Sequence, residues 1–107
     1  MNTTTRNLQD LLKHCIGRKT VEFCNGTVYH FNAPILTIED NKIILNSRYY
    51  AYSASTSRVR NRAIEYFSGC TAPSTLELSK ARKNGEILTV GNMEIFFDEW
   101  FYNEDMA

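Results

Sequence analysis

His14, Cys15, Cys24 and His30 lie within seventeen residues of one another. Imidazole and thiolate are the ligands zinc prefers, so a metal centre is the first chemistry to test. Local geometry argues against it. With Asn25-Gly26 as a two-residue hairpin turn, Cys24 and His30 fall on opposite faces of the ribbon and cannot both reach one tetrahedral ion. The expectation is two buried or half-buried thiols, two surface imidazoles, and no metal or other cofactor.

Covalent and acid-base chemistry fare no better. A catalytic Ser or Cys needs a base within hydrogen-bond reach and a turn that presents it. Ser68-Gly69-Cys70 has neither signature, and Cys70 at the end of an apolar helical face reads as a core residue. Asp98 and Glu99 are adjacent acids in an acidic tail, where water is their usual partner. The five glycines, at 17, 26, 69, 85 and 91, are dispersed among turns and caps and build no phosphate loop. The chain is expected not to be an enzyme.

Residues 48–62 carry the strongest local signal: Arg48, Tyr49, Tyr50, Tyr52, Arg58, Arg60 and Arg62, interleaved with Ser and Thr and free of acids. Guanidinium groups fork onto phosphate oxygens, a helix start presents N–H groups to anions, and tyrosine rings stack on bases. Together they make a candidate site for a nucleic acid or nucleotide. The competing explanation is structural: Ser and Thr cap a helix, the tyrosines pack on the core, and the arginines form a solvated face or pair with the acidic tail.

A second signal sits at the other end. Phe96, Asp98, Glu99, Trp100, Tyr102, Glu104 and Asp105 combine aromatic anchors with a charged rim, the composition of a protein-binding patch. Alternatively the aromatics fold back onto the sheet and the acids stay in water. Charge separates the two signals. The chain has 12 Lys and Arg against 12 Asp and Glu, a formal charge of zero. Residues 1–83 nevertheless carry +6 and residues 84–107 carry −6. Complementary fields of this kind steer association.

The elements that must position these groups follow from periodicity. Leu8, Leu11, Leu12, Cys15 and Ile16 share a helical face. Asn25-Gly26 centres a hairpin that pairs Cys24 with Thr27 and Phe23 with Val28. Residues 35–38 and 43–45 form a second hairpin around Asp40-Asn41, with Glu39 opposite Lys42 and with Leu36, Ile38, Ile43 and Leu45 on one face. Pro34 and Pro73 read as loop residues. A helix opens in the Ser/Thr stretch at 53–57, runs to about 67 and stops at Gly69, with Val59, Ala63, Tyr66, Phe67 and Cys70 inward. Ser74 and Glu77 form a capping box for a further helix that Asn84-Gly85 ends. Residues 87–90 and 93–97 make a third hairpin, apolar on both faces and therefore central or shared with a partner. The result is one α+β domain over residues 1–107, an antiparallel sheet of three hairpins covered by two or three helices, with an acidic aromatic segment at 98–107.

The run Asn46-Ser47-Arg48-Tyr49-Tyr50-Ala51-Tyr52-Ser53-Ala54-Ser55-Thr56-Ser57-Arg58 resembles a segment of small bacteriophage proteins, in which a strand ends in an aromatic, a Tyr-Ser pair and a Thr-Ser-basic helix start. The resemblance extends to Arg62 and implies a phage-type accessory protein. Where such proteins carry Lys-His after Thr-Ser this chain has Arg58-Val59, so that histidine's role does not transfer. The resulting expectation is a non-enzymatic inhibitor that captures a host or defence protein. The alternative is a nucleic-acid or nucleotide binder, and a homo-oligomer would dock the acidic tail of one copy on the basic helix of the next. Three cysteines without a Cys-x-x-Cys pair, and no apolar run long enough for a signal peptide or a membrane span, point to the cytoplasm and away from membranes.

Overall fold

The computed structural model describes residues 21–98. The helix expected around Leu8 and Ile16, together with His14 and Cys15, lies outside the described residues. Eight elements follow in order: β1 (Val21–Cys24), β2 (Thr27–His30), β3 (Ala33–Glu39), β4 (Lys42–Asn46), α1 (Ala54–Ser68), α2 (Thr75–Asn84), β5 (Leu88–Val90) and β6 (Met93–Asp98). They build one α+β domain around a six-stranded sheet of order β1-β2-β3-β4-β6-β5.

The three expected hairpins form in their expected registers. Asn25 and Gly26 both take positive φ, and Phe23 pairs with Val28 and Cys24 with Thr27. Glu39 pairs with Lys42, Ile38 with Ile43 and Leu36 with Leu45. Val90 pairs with Met93. A fourth turn, Phe31-Asn32, joins β2 to β3 and makes the first four strands a continuous meander. The sheet is not wholly antiparallel: β6 runs parallel to β4, with Leu45 beside Phe97 and Ile43 beside Ile95. The long excursion through α1 and α2 brings the chain back beyond the meander, and the short β5 turns it round so that β6 inserts next to β4. That places β6 in the sheet interior, one of the two placements its apolar faces allowed, and leaves β5 at the edge.

One apolar row crosses the sheet through Val28, Leu36, Leu45 and Phe97, and a second through Ile38, Ile43, Ile95 and Leu88. Val59, Ala63 and Ile64 of α1 and Leu78 of α2 are fully buried in the core those rows define. Burying a Val, Leu or Ile side chain contributes about 1.5–3 kcal/mol, so this layer holds the helices on the sheet. Gly91 fixes how closely the last hairpin meets α1. A Cβ there would lie 2.6 Å from the Ser68 carbonyl oxygen, and its φ of 61° is one that L side chains rarely adopt.

Four local expectations are corrected. Cys24, expected to be buried or half-buried, ends β1 exposed. Pro34 lies within β3, opposite Tyr29 next to a register shift and before the β4 ladder begins at Leu36. A missing N–H is tolerated at such a position. Cys70 is exposed, because Gly69 at φ 73° turns the chain off the helix before Cys70 can face inward. His30 is 4% exposed and belongs to the interior, not the surface.

Candidate functional site

Asn46, at the end of β4, is buried and organises the turn that follows. Its side-chain Oδ1 accepts from the N–H groups of Arg48 at 2.9 Å and Tyr49 at 3.2 Å, and its carbonyl accepts from Tyr50 N–H at 2.9 Å. The turn thereby sends its three tyrosines in different directions. Tyr50 goes inward, edge-on to Phe97 at 5.2 Å, with its hydroxyl 2.8 Å from Ser79 Oγ. Tyr49 and Tyr52 stay outside, edge to face at 6.1 Å, and Tyr52 is 76% exposed.

Those two rings form part of the wall of a pocket of about 270 Å³. Opposite them stand His30, Phe31, Ala33 and Ile35 from the β2-β3 turn region, and Ser53 and Thr56 from the start of α1 close it. None of these lining residues is acidic. Ser53 is the N-cap of α1: its Oγ accepts from Thr56 N–H at 3.1 Å and lies 3.0 Å from Thr56 Oγ1. Thr56 in turn meets His30 Nδ1 at 2.8 Å, which links Ser53, Thr56 and His30 in one chain of hydrogen bonds. Burial pushes the His30 imidazole below its ordinary value, so it stays neutral near pH 7.

The first turn of α1 holds no acid, and no partner among the described residues takes the N–H groups of Ala54 and Ser55. Such a start carries a partial positive charge and is disposed toward anions. Arg58 stands one turn along, with Nη2 3.5 Å from Ser55 Oγ, and the Arg48 guanidinium lies 5.6 Å from the Tyr49 ring centre. Both are exposed, as is Arg62 one turn further on.

Arg60 departs from this group. It is fully buried, and its guanidinium donates to the Tyr50 carbonyl at 2.9 Å, to Asn61 Oδ1 at 3.0 and 2.7 Å and to Thr75 Oγ1 at 3.0 Å. Each of these acceptors is neutral. Arg60 is therefore a clamp between the tyrosine turn, α1 and the first residue of α2, and Tyr50 is core; neither reaches the pocket. Of the residues singled out from sequence, Tyr49, Tyr52, Arg48 and Arg58 gather at the α1 start. From sequence, His30 is weighed only as a metal ligand and reads as a surface imidazole, and Phe31 and Thr56 have no site role; Thr56 could have been found as the third residue after a candidate Ser cap, but nothing local to His30 or Phe31 places them at this pocket.

The acidic end is only partly in view. Phe96 is half-buried on the sheet face away from the helices, with the Lys42 ammonium 5.6 Å from its ring centre. Asp98 closes β6 beside Asn46. Glu99, Trp100, Tyr102, Glu104 and Asp105 lie outside the described residues. Among the described residues no group of three or more His, Cys, Asp or Glu side chains is placed to hold a metal, and no helix is long and apolar enough to cross a membrane. The chain matches no family model, no curated protein and no solved structure.

Proposed function

We propose that this protein is a non-enzymatic binding domain that takes a nucleotide, free or as one unit of a single-stranded nucleic acid, at the start of α1. What supports this reading is one convergence: an acid-free helix start and two exposed aromatic rings, Phe31 and Tyr52, open on the same small pocket. Rings stack on bases irrespective of sequence, and the helix N–H groups with Arg58 answer the phosphate. About 270 Å³ lies just below the range of drug-sized pockets and suits a ligand of nucleotide scale. The Ser53, Thr56 and His30 chain is not a nucleophile system. Thr56 is 2% exposed with its hydroxyl held between two partners, and no carboxylate orients the imidazole.

Calorimetric titration of the full chain with AMP and with a single-stranded oligonucleotide, at low and at physiological salt, tests this. Binding is expected to weaken with salt. Tyr52→Ala is expected to lose roughly tenfold in affinity, the scale of one stacked base. Arg58→Ala is expected to reduce the salt dependence, and Arg62→Ala to change it less. Preference between the free nucleotide and the oligonucleotide identifies which source the site serves. No binding of either at low salt overturns the reading.

A further inference from the structure

His30 ends β2 and Phe31 opens the tight turn that follows. Two independent observations meet at this corner. The first is that His30 Nε2 is buried and has no hydrogen-bond partner, although Nδ1 is satisfied by Thr56. Whichever nitrogen carries the proton, Nε2 is left with an unused N–H or an unused lone pair. A buried polar atom left unpaired is uncommon and costs stability, so its persistence asks for a reason.

The second is the backbone of Phe31. Its φ is 52°, in the left-handed region where a Cβ crowds the following carbonyl and where Gly or Asn is the ordinary occupant. No burial offsets that strain: the residue is 69% exposed. Its ring lies against the His30 imidazole, with centroids 4.6 Å apart. Strained residues of this kind persist at ligand clamps and switches. An exposed phenyl ring is thus held by a strained turn against an imidazole whose outer nitrogen reaches neither water nor protein.

We propose that Phe31 is a cover over His30 Nε2, and that a bound nucleobase displaces it: the phenyl ring turns aside to stack on the base, and Nε2 forms one hydrogen bond with the base edge. This rests on the nucleotide reading above and adds to it the residue that senses the base. Base edges set N–H donors next to carbonyl and imine acceptors, so a neutral imidazole finds a complement there in either tautomer. The phosphate stays at the α1 start, on the other side of the Thr56 contact.

The test compares wild type with His30→Asn and Phe31→Ala, using AMP and UMP as ligands and tripolyphosphate as an anion with no base. The Asn amide sits where Nδ1 does and keeps a partner for Thr56, but it has no atom at Nε2. His30→Asn is expected to weaken AMP and UMP about tenfold, one hydrogen bond's worth, and to leave tripolyphosphate unchanged. In the free protein, Phe31→Ala is expected to shift the His30 ring ¹⁵N resonance of Nε2 as water reaches it; in wild type the same resonance moves only when nucleotide is added. If wild type binds nucleotides and His30→Asn binds them equally well, this inference falls and the nucleotide reading stands. Equal weakening of tripolyphosphate overturns it too, since Nε2 would then serve the phosphate. An unshifted resonance in Phe31→Ala removes Phe31 as the cover even if His30→Asn fails to fold. Absence of nucleotide binding by wild type removes both readings together.

Discussion

α1 and α2 begin with the same residue in the same role, and the two starts are completed in opposite ways. Ser74 caps α2, and Glu77 at the third helical position returns the bond: Ser74 Oγ accepts from Glu77 N–H, and Glu77 Oε1 accepts from Ser74 N–H, both at 3.1 Å. The carboxylate also meets the positive end of the helix. Ser53 caps α1, but the third position is Thr56, which turns its hydroxyl sideways to His30. No acid answers the dipole there. One start is neutralised by its own chain and the other is left facing a pocket. The two-residue turns show the same division: Asn25-Gly26 places favourable residues at positive φ, whereas Phe31-Asn32 places a phenylalanine there. Where local chemistry agrees with local geometry the element serves the fold, and where it conflicts the residues border the pocket.

Arg60 joins the two starts, and removing it is the severest way to break the comparison. Its guanidinium bonds the turn before α1 and Thr75 at the first position of α2. Burial lowers its pKa, partly opposed by Tyr50, but it remains charged at any ordinary pH. Arg60→Met keeps much of the apolar stem and leaves the Tyr50 carbonyl and Thr75 hydroxyl without this donor, at an expected cost of about 3 kcal/mol. Urea unfolding monitored by circular dichroism checks it. A cost below about 1 kcal/mol would mean the clamp is dispensable.

Removing each cap in turn sharpens the contrast. Ser74→Ala is expected to cost about 1 kcal/mol of stability and to leave nucleotide affinity unchanged. Ser53→Ala is expected to cost a similar amount and also to weaken binding, because Ser53 holds Thr56 and Thr56 holds His30. Equal effects of the two variants on affinity would erase the functional difference between the starts.

Acid tests the α1 side alone. His30 lies below its ordinary value of 6.5 because burial disfavours the imidazolium. As pH falls through about 6.5, the unfolded chain takes up this proton and the folded chain does not, so the unfolded state is favoured. Above that pH the residue is neutral in both states and contributes no slope. Wild type is therefore expected to lose more thermal stability than His30→Asn between pH 7.5 and 5.5, with the difference confined to the acid side. Parallel melting curves at every pH would show that the imidazole is not held neutral.

Much of the scaffold was readable from the chain because its signals are local. Asn25-Gly26, the Ser74 and Glu77 box, and the helix stops at Gly69 and Gly85 each act within four or five residues, and each is where the sequence puts it. The alternation of Leu36, Ile38, Ile43 and Leu45 fixed the register of β3 with β4. What escaped is non-local or breaks a propensity. The parallel pairing of β4 with β6 depends on how two helices fold back, which no window of residues encodes. The Phe31-Asn32 turn lacks the glycine that announces such turns. Arg60 and Arg62 are indistinguishable by type, and only the third dimension makes one a buried clamp and the other a surface charge. The pocket was half readable for the same reason: Tyr52, Arg58 and the Ser/Thr run are neighbours in sequence, whereas His30 and Phe31 arrive from a strand more than twenty residues away.

The mildest change supplies α1 with what α2 already has. Ser55 occupies the second helical position, partly exposed, with its hydroxyl toward Arg58. Ser55→Glu places a carboxylate against the uncompensated N–H groups and near the Arg58 guanidinium. This is expected to stabilise the fold by about 0.5 kcal/mol at low salt. The same charge repels phosphate from the same N–H groups, so affinity for AMP is expected to fall while affinity for uncharged adenosine holds. A rise in melting temperature together with a loss specific to the charged ligand places the anion at the α1 start. A rise in melting temperature with AMP affinity intact would mean that the open start is a tolerated imperfection and that the pocket binds through its rings and His30 alone.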